Sequence, residues 1–147
     1  MKQEFSVAWK ASTQPRKQRK YRFQAPLHIK VKFLHANLSK DLRKEYGIRS
    51  FRVRKGDTVR VMRGSFAKLT GKVEQVNVKK SKIFVEKAEH IKKEGTKVFY
   101  PLDASNVQII SLQLDDKQRV EQLKSFKEKK KNVQKNEKPV KKQSEKK

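Results

Sequence analysis

Apolar residues recur at every second position in the middle of the chain: Val59 and Val61 fall on one side of an extended segment, Arg60 and Met62 on the other. Val53 precedes them across the turn Lys55-Gly56-Asp57, and Arg63 to Gly71 forms a loop bounded by glycines. Lys72 to Val78 and Lys82 to Glu86 are β-branched runs joined by the turn Lys79-Lys80-Ser81. Val73 and Val76 are out of phase, which predicts a bulge or sharp bend between them. Ala88 to Glu94, ending at Gly95, reads as a connection. Thr96 to Tyr100 reads as a strand closed by Pro101, Asp103 to Asn106 as a turn, and Val107 to Leu112 as a final strand. Short strands at this spacing predict a mostly β chain folded into a small, closed or half-closed antiparallel barrel. Its expected core is Val59, Val61, Phe66, Val73, Val76, Ile83, Val85, Val98, Ile109 and Leu112.

The flanks lack this alternation. Residues 1–25 show no sustained period and interleave cations with Tyr21 and Phe23, the composition of a basic arm disordered in isolation. In residues 26–51, Pro26 opens a short helix through Leu27, Ile29, Val31 and Leu34. Ser39 then caps a second helix, Lys40 to Tyr46, that Gly47 stops. The barrel is expected over residues 52–114. Asp115 or Asp116 caps a C-terminal helix over 115–131, with Val120, Leu123 and Phe126 as its apolar stripe, and residues 132–147 form a Lys-rich tail.

Charge sharpens this division. The 147 residues carry 40 Lys+Arg against 15 Asp+Glu, a net charge of +25. Residues 1–54 hold 15 basic and 3 acidic side chains and residues 117–147 hold 13 and 4, whereas residues 55–116 hold 12 and 8. The excess thus lies on the extensions, which repel themselves until a dense polyanion neutralises them, and nucleic acid is the partner that chemistry names. There is no cysteine, and His28, His35 and His90 have no ligand cluster beside them, so no metal or cofactor site is expected. Asp57, Asp115 and Asp116 read as turn and cap residues, and no nucleophile, base and acid set suggests catalysis or a small-molecule substrate. Apolar runs stop at three residues, and the first twenty residues lack the apolar stretch of a secretory signal, so a cytoplasmic protein without a membrane partner is expected. Trp9 can stack on a base, fill a neighbour's groove, or belong to a disordered arm.

The stretch Val59 to Val73 is the most informative. Gly64 and Gly71 can take positive φ or admit close approach, and Arg63, Lys68 and Lys72 crowd charge at the loop. A phosphate-facing hairpin and a plain turn with solvated cations both fit. Six residues separate the glycines and Val73 follows Lys72, so this is not a nucleotide-hydrolysing phosphate loop.

Lys55 to Val76 resembles a KOW motif. Further blocks fall in register with it: Gln14 to Lys20, Ala25-Pro26-Leu27-His28, Leu38 to Arg43, Val53 to Asp57, Val61 to Gly64, and Tyr100-Pro101 with Ser105-Asn106-Val107. Together, from Pro15 to about Arg119, they resemble the large-subunit ribosomal protein family numbered L-twenty-four in universal naming and L-twenty-six in eukaryotes, in its archaeal wording. The chain departs from it at Ala67-Lys68, where the family usually has Lys-Gly, and at Asp103-Ala104, where His-Pro is common.

The resemblance implies a KOW-type SH3-like barrel with short N-terminal helices, a C-terminal helix and basic extended tails. It also implies a structural role on large-subunit ribosomal RNA, in its 5′ region near the peptide exit tunnel, beside neighbouring large-subunit proteins and in support of assembly. Candidate RNA contacts in the arm are Arg16, Lys17, Arg19, Lys20 and Arg22; in the helical segment, His28, Lys30, Lys32, Arg43 and Arg49. In the barrel they are Arg52, Arg54, Lys55, Arg60, Arg63, Lys68, Lys72, Lys79 and Lys80. The alternative is a free-standing KOW transcription elongation or RNA-chaperone factor, although residues 1–54 leave no room for a polymerase-binding domain.

Overall fold

In a computed structural model, which describes residues 5–137, the central alternation becomes a strongly curved sheet. Its strands are β1 (His35–Leu38), β2 (Ser50–Arg52), β3 (Thr58–Val61), β4 (Thr70–Asn77), β5 (Lys82–Val85), β8 (Leu102–Asp103) and β9 (Val107–Ser111), in the order β2-β1-β9-β3-β4-β5-β8. The fold is mostly β and barrel-like, as expected. Val59, Val61, Ile83, Val85 and Ile109 are wholly buried, and Leu34, Leu38, Val53, Val73 and Val107 complete the interior.

β4 makes the curvature. Its first residues pair with β3 (Thr58↔Lys72, Arg60↔Thr70) and its remainder with β5 (Val76↔Ile83), with a register shift between Val73 and Gln75. That shift is the bulge predicted from the phase of Val73 and Val76, and it lets one strand serve both halves of the wall. Gly71 sits just before it, outside the left-handed region. A Cβ there would lie 2.9 Å from the Glu86 carbonyl oxygen, so this glycine serves close approach rather than a left-handed turn.

Several expectations need correction. The sheet is not wholly antiparallel, because β1 pairs with β9 in parallel (Asn37↔Gln108, Leu38↔Ile109). Long intervening chain permits this, as a hairpin would not. The segment 26–51 is helical only at α2 (Leu27–Lys30), a 3₁₀ turn over Val31–Leu34 and α3 (Lys40–Tyr46), with β1 and β2 between and after them. α3 has the cap and stop read from sequence: Ser39 Oγ accepts from Leu42 N–H at 3.3 Å and Gly47 has φ +73°.

The described part of the arm, residues 5–25, is also structured. α1 (Pro15–Gln24) begins at a proline and is anchored by Tyr21, which is buried with the Phe5 and Phe33 rings at 5.3 and 6.2 Å. One anchoring aromatic leaves no periodic stripe to read. Val98 is not core. It lies 43% exposed in β7 (Lys97–Phe99), which pairs with β6 (Glu89–Ile91) as a separate hairpin where only a connection was expected before it. Phe66, Val76 and Leu112 pack half-buried against the core.

α4 (Lys117–Glu137) outruns the expected 115–131 helix and takes in part of the predicted tail, whose residues 138–147 lie outside the described ones. Asp116 caps it, accepting from Gln118 N–H at 2.9 Å, and Leu123 enters the core at 2% exposure.

Candidate nucleic-acid interface

Strand register assembles a polar row on the outside of the barrel. Asn37 in β1 stands beside Gln108 in β9, Gln108 beside Arg60 in β3, and Arg60 beside Thr70 in β4. Each lies on the side of its strand opposite the buried valines, isoleucine and leucine, so the row faces outward. Lys72, two positions along β4 from Thr70, shares that face.

At the end of the row a cleft of about 270 Å³ opens between Asn37, Arg43, Met62, Arg63, Ser105 and Gln108. Two of its side chains share one anchor. Arg43 Nε donates to the Leu38 carbonyl at 2.8 Å and Gln108 Nε2 to the same oxygen at 3.3 Å. The loop forming its upper wall is tightly tied: Met62 N–H donates to Asn106 O, Lys68 N–H to Val61 O and Val61 N–H to Leu69 O, each at 2.8 Å. Gly64 turns the chain with φ +88°, and Lys68 takes φ +72°, at the position where the family usually has glycine. Phe66 packs against Tyr100 with ring centroids 5.3 Å apart. Arg63 and Lys68 are thus exposed on a braced support.

The remaining predicted cations divide by environment. Arg16 and Arg19 are exposed on α1, while Lys17 and Lys20 lie over the Trp9 ring at 5.8 and 4.9 Å and Arg22 over Phe33 at 5.4 Å. Gln18 Nε2 donates to the carbonyls of Lys10 and Ser12 at 2.9 and 2.8 Å, fastening the turn that carries Trp9 to α1. Trp9 therefore packs on its own chain. His28, Lys32, Arg49 and Lys55 are exposed and Lys30 is half-buried; Lys79 and Lys80 are exposed at the far end of β4 from the cleft.

Two predicted contacts are half-buried and engaged by the fold itself. Arg54 pairs with Asp116 at the start of α4. Arg52 is half-buried with its Nε unpartnered; burial, followed by the charges of Arg54 and Arg119, lowers its pKa from the usual guanidinium value. At Asp103-Ala104, Asp103 binds Lys82 Nζ at 2.8 Å and Ala104 is buried, so this corner is occupied by the fold itself.

Sequence reasoning missed Asn37, Ser105 and Gln108. Gln108 was findable as the polar residue between Val107 and Ile109, whereas Asn37 lies in β1, between the two helices expected in residues 26–51. Among the described residues, no group of three or more His, Asp or Glu side chains could hold a metal ion, and no helix is long and apolar enough to cross a membrane.

Residues 12–125 match the family model that unites the eukaryotic ribosomal proteins L26 with their archaeal L24 counterparts. The chain belongs to that family, in its archaeal type. It is 52% identical over 108 residues to the large ribosomal subunit protein uL24 of Methanothrix thermoacetophila, an alignment covering 74% of this chain and 93% of that one. It is 49% identical over 113 residues to uL24 of Methanocorpusculum labreanum, covering 77% and 93%. The family match spans α1, the whole barrel and the docked start of α4, so every residue of the cleft falls within it.

Proposed function

We propose that this chain is a structural component of the large ribosomal subunit that binds large-subunit ribosomal RNA through the barrel's outer face and α1, beside neighbouring subunit proteins. The carrying observation is the outward-facing cationic and amide row on β1, β9, β3 and β4, set within a net charge of +25. The names of the uL24 relatives support the ribosomal setting. The family resemblance supports a site in the 5′ region of that RNA, near the peptide exit tunnel, with a role in assembly.

The physics is phosphate neutralisation. Exposed Arg and Lys displace condensed counterions, and a guanidinium can fork onto two phosphate oxygens where an ammonium acts as a point charge. Recognition is of folded RNA shape, since the A-form major groove is too narrow for side chains to read. The barrel fixes where the cations stand, which lowers the entropy lost on binding.

Filter binding of the full chain to transcribed large-subunit RNA tests this. Engagement of about six phosphates lowers affinity by roughly a thousandfold between 50 and 200 mM salt. Arg63→Ala and Lys72→Ala each weaken binding more than Lys124→Ala on the exposed side of α4. A flat salt titration, or equal losses at all three positions, refutes the reading; sedimentation with polymerase instead of large subunits supports the transcription-factor alternative.

A further inference from the structure

The cleft at the end of the polar row has a composition that phosphate neutralisation alone does not require. A surface that only binds phosphates needs cations, yet here two guanidiniums, Arg43 and Arg63, share a recess with the amides of Asn37 and Gln108 and the thioether of Met62. Carboxamides both donate and accept, and they meet the hydrogen-bonding edge of a nucleobase two bonds at a time. Met62 is 52% exposed at the lip beside Arg63, a flexible, polarisable side chain suited to lie against a flat ring. No carboxylate lines the recess. Its volume of about 270 Å³ is small for a ligand pocket.

We infer that this cleft receives a single unstacked nucleotide of the bound RNA, its phosphate between Arg43 and Arg63 and its base edge against Asn37 and Gln108. The inference rests on the RNA-binding reading and deepens it. The site is largely prearranged: Arg43 and Gln108 are both tethered to the Leu38 carbonyl, and the Asn37–Gln108 spacing is set by strand pairing. Immobilising these side chains before binding removes an entropy cost that loose surface residues would incur. Sequence-selective recognition of RNA falls on unpaired bases, whose edges are free for such contacts.

Chemical probing of base edges on transcribed large-subunit RNA, bound by the full-length protein, tests it. With wild type, at least one unpaired base is protected from dimethyl sulfate or carbodiimide. Asn37→Ala and Gln108→Ala restore its reactivity and weaken binding by up to about tenfold, while the log–log salt slope, set by the phosphates engaged, keeps its wild-type value. Arg63→Ala instead reduces the log–log salt slope by about one. Asn37 is on the exposed side of its strand, and a cooperative melting transition above the assay temperature shows that each variant is folded. If the complex forms with the wild-type salt dependence but no base protection depends on Asn37 or Gln108, the nucleotide site is refuted and RNA binding stands. If no salt-dependent complex forms with wild type, the RNA reading fails and takes the site with it.

Discussion

Replacing Arg119 with leucine is the sharpest test of what holds the barrel to its C-terminal helix. Arg119 is 1% exposed and Asp57 wholly buried. The guanidinium grips the carboxylate with both ends, Nη1 to Oδ1 at 2.7 Å and Nη2 to Oδ2 at 2.8 Å, and donates further to the carbonyls of Gln113 and Arg52 at 2.9 and 3.1 Å. It also lies 5.3 Å from the Phe51 ring. Asp57 in turn accepts from the backbone N–H groups of Arg54 and Gln113 at 2.8 and 2.9 Å. One ion pair therefore ties β2, the turn before β3, the chain after β9 and α4 together.

Arg119→Leu leaves the Asp57 carboxylate buried with those two backbone donors and no counter-charge. Breaking a buried pair from one side costs about 3–5 kcal/mol, which for a chain of this size lowers the melting temperature by roughly 10–20 °C. Thermal unfolding followed by circular dichroism, at fixed high salt to suppress self-repulsion, reads it. Asp57→Asn in the Arg119→Leu background removes the stranded charge, so the double variant is more stable than the sum of the single losses predicts, by at least about 1 kcal/mol. A loss below about 1 kcal/mol for Arg119→Leu, or strict additivity, refutes the assignment of this pair as the clamp.

That pair also shows where the sequence stops being legible. The C-terminal helix, its Asp cap and the burial of Leu123 follow from local pattern, but Arg119 is the most buried position of its docked turn and its partner lies 62 residues away. No periodicity marks a charged residue whose environment is made by distant strands. The central strands were readable because the buried Val59, Val61, Val73 and Ile109 alternate with the wetter Arg60, Lys72 and Gln108. α1 was not, because a helix whose one buried residue is Tyr21 has no repeating apolar face. β1 falls between two expected helices, and β6 has only three residues, all at least partly exposed. At the candidate interface, Arg60 and Arg63 stood out by charge beside the strand, whereas Asn37 and Ser105 gain meaning only from the strand pairing and turn that bring them to Gln108 and Arg43.

Two further predictions use backbone geometry and protonation. Lys68 holds φ +72°, a conformation that costs a side-chain-bearing residue about 1–2 kcal/mol, so Lys68→Gly raises stability by about 1 kcal/mol after the unfolded chain's gain in freedom is subtracted. A shift of the urea midpoint to higher concentration checks it; a lower midpoint shows that the lysine side chain contributes more than its backbone strain costs. Acid acts on the cap of α4. The hydrogen bond from the Arg54 guanidinium lowers the Asp116 pKa most, burial opposes this, and the Gln118 N–H adds to the lowering. A carboxyl with a depressed folded pKa contributes stability that is fully present above its unfolded value, about pH 4, and is lost as pH falls through the lower folded value. Helical ellipticity is therefore expected to hold from neutral pH down to about pH 4 and then decline. Asp116→Asn, which cannot ionise and loses the charged contact to Arg54, begins with less helix at neutral pH and shows a shallower acid decline; an acid limb identical to wild type would place the titrating group elsewhere.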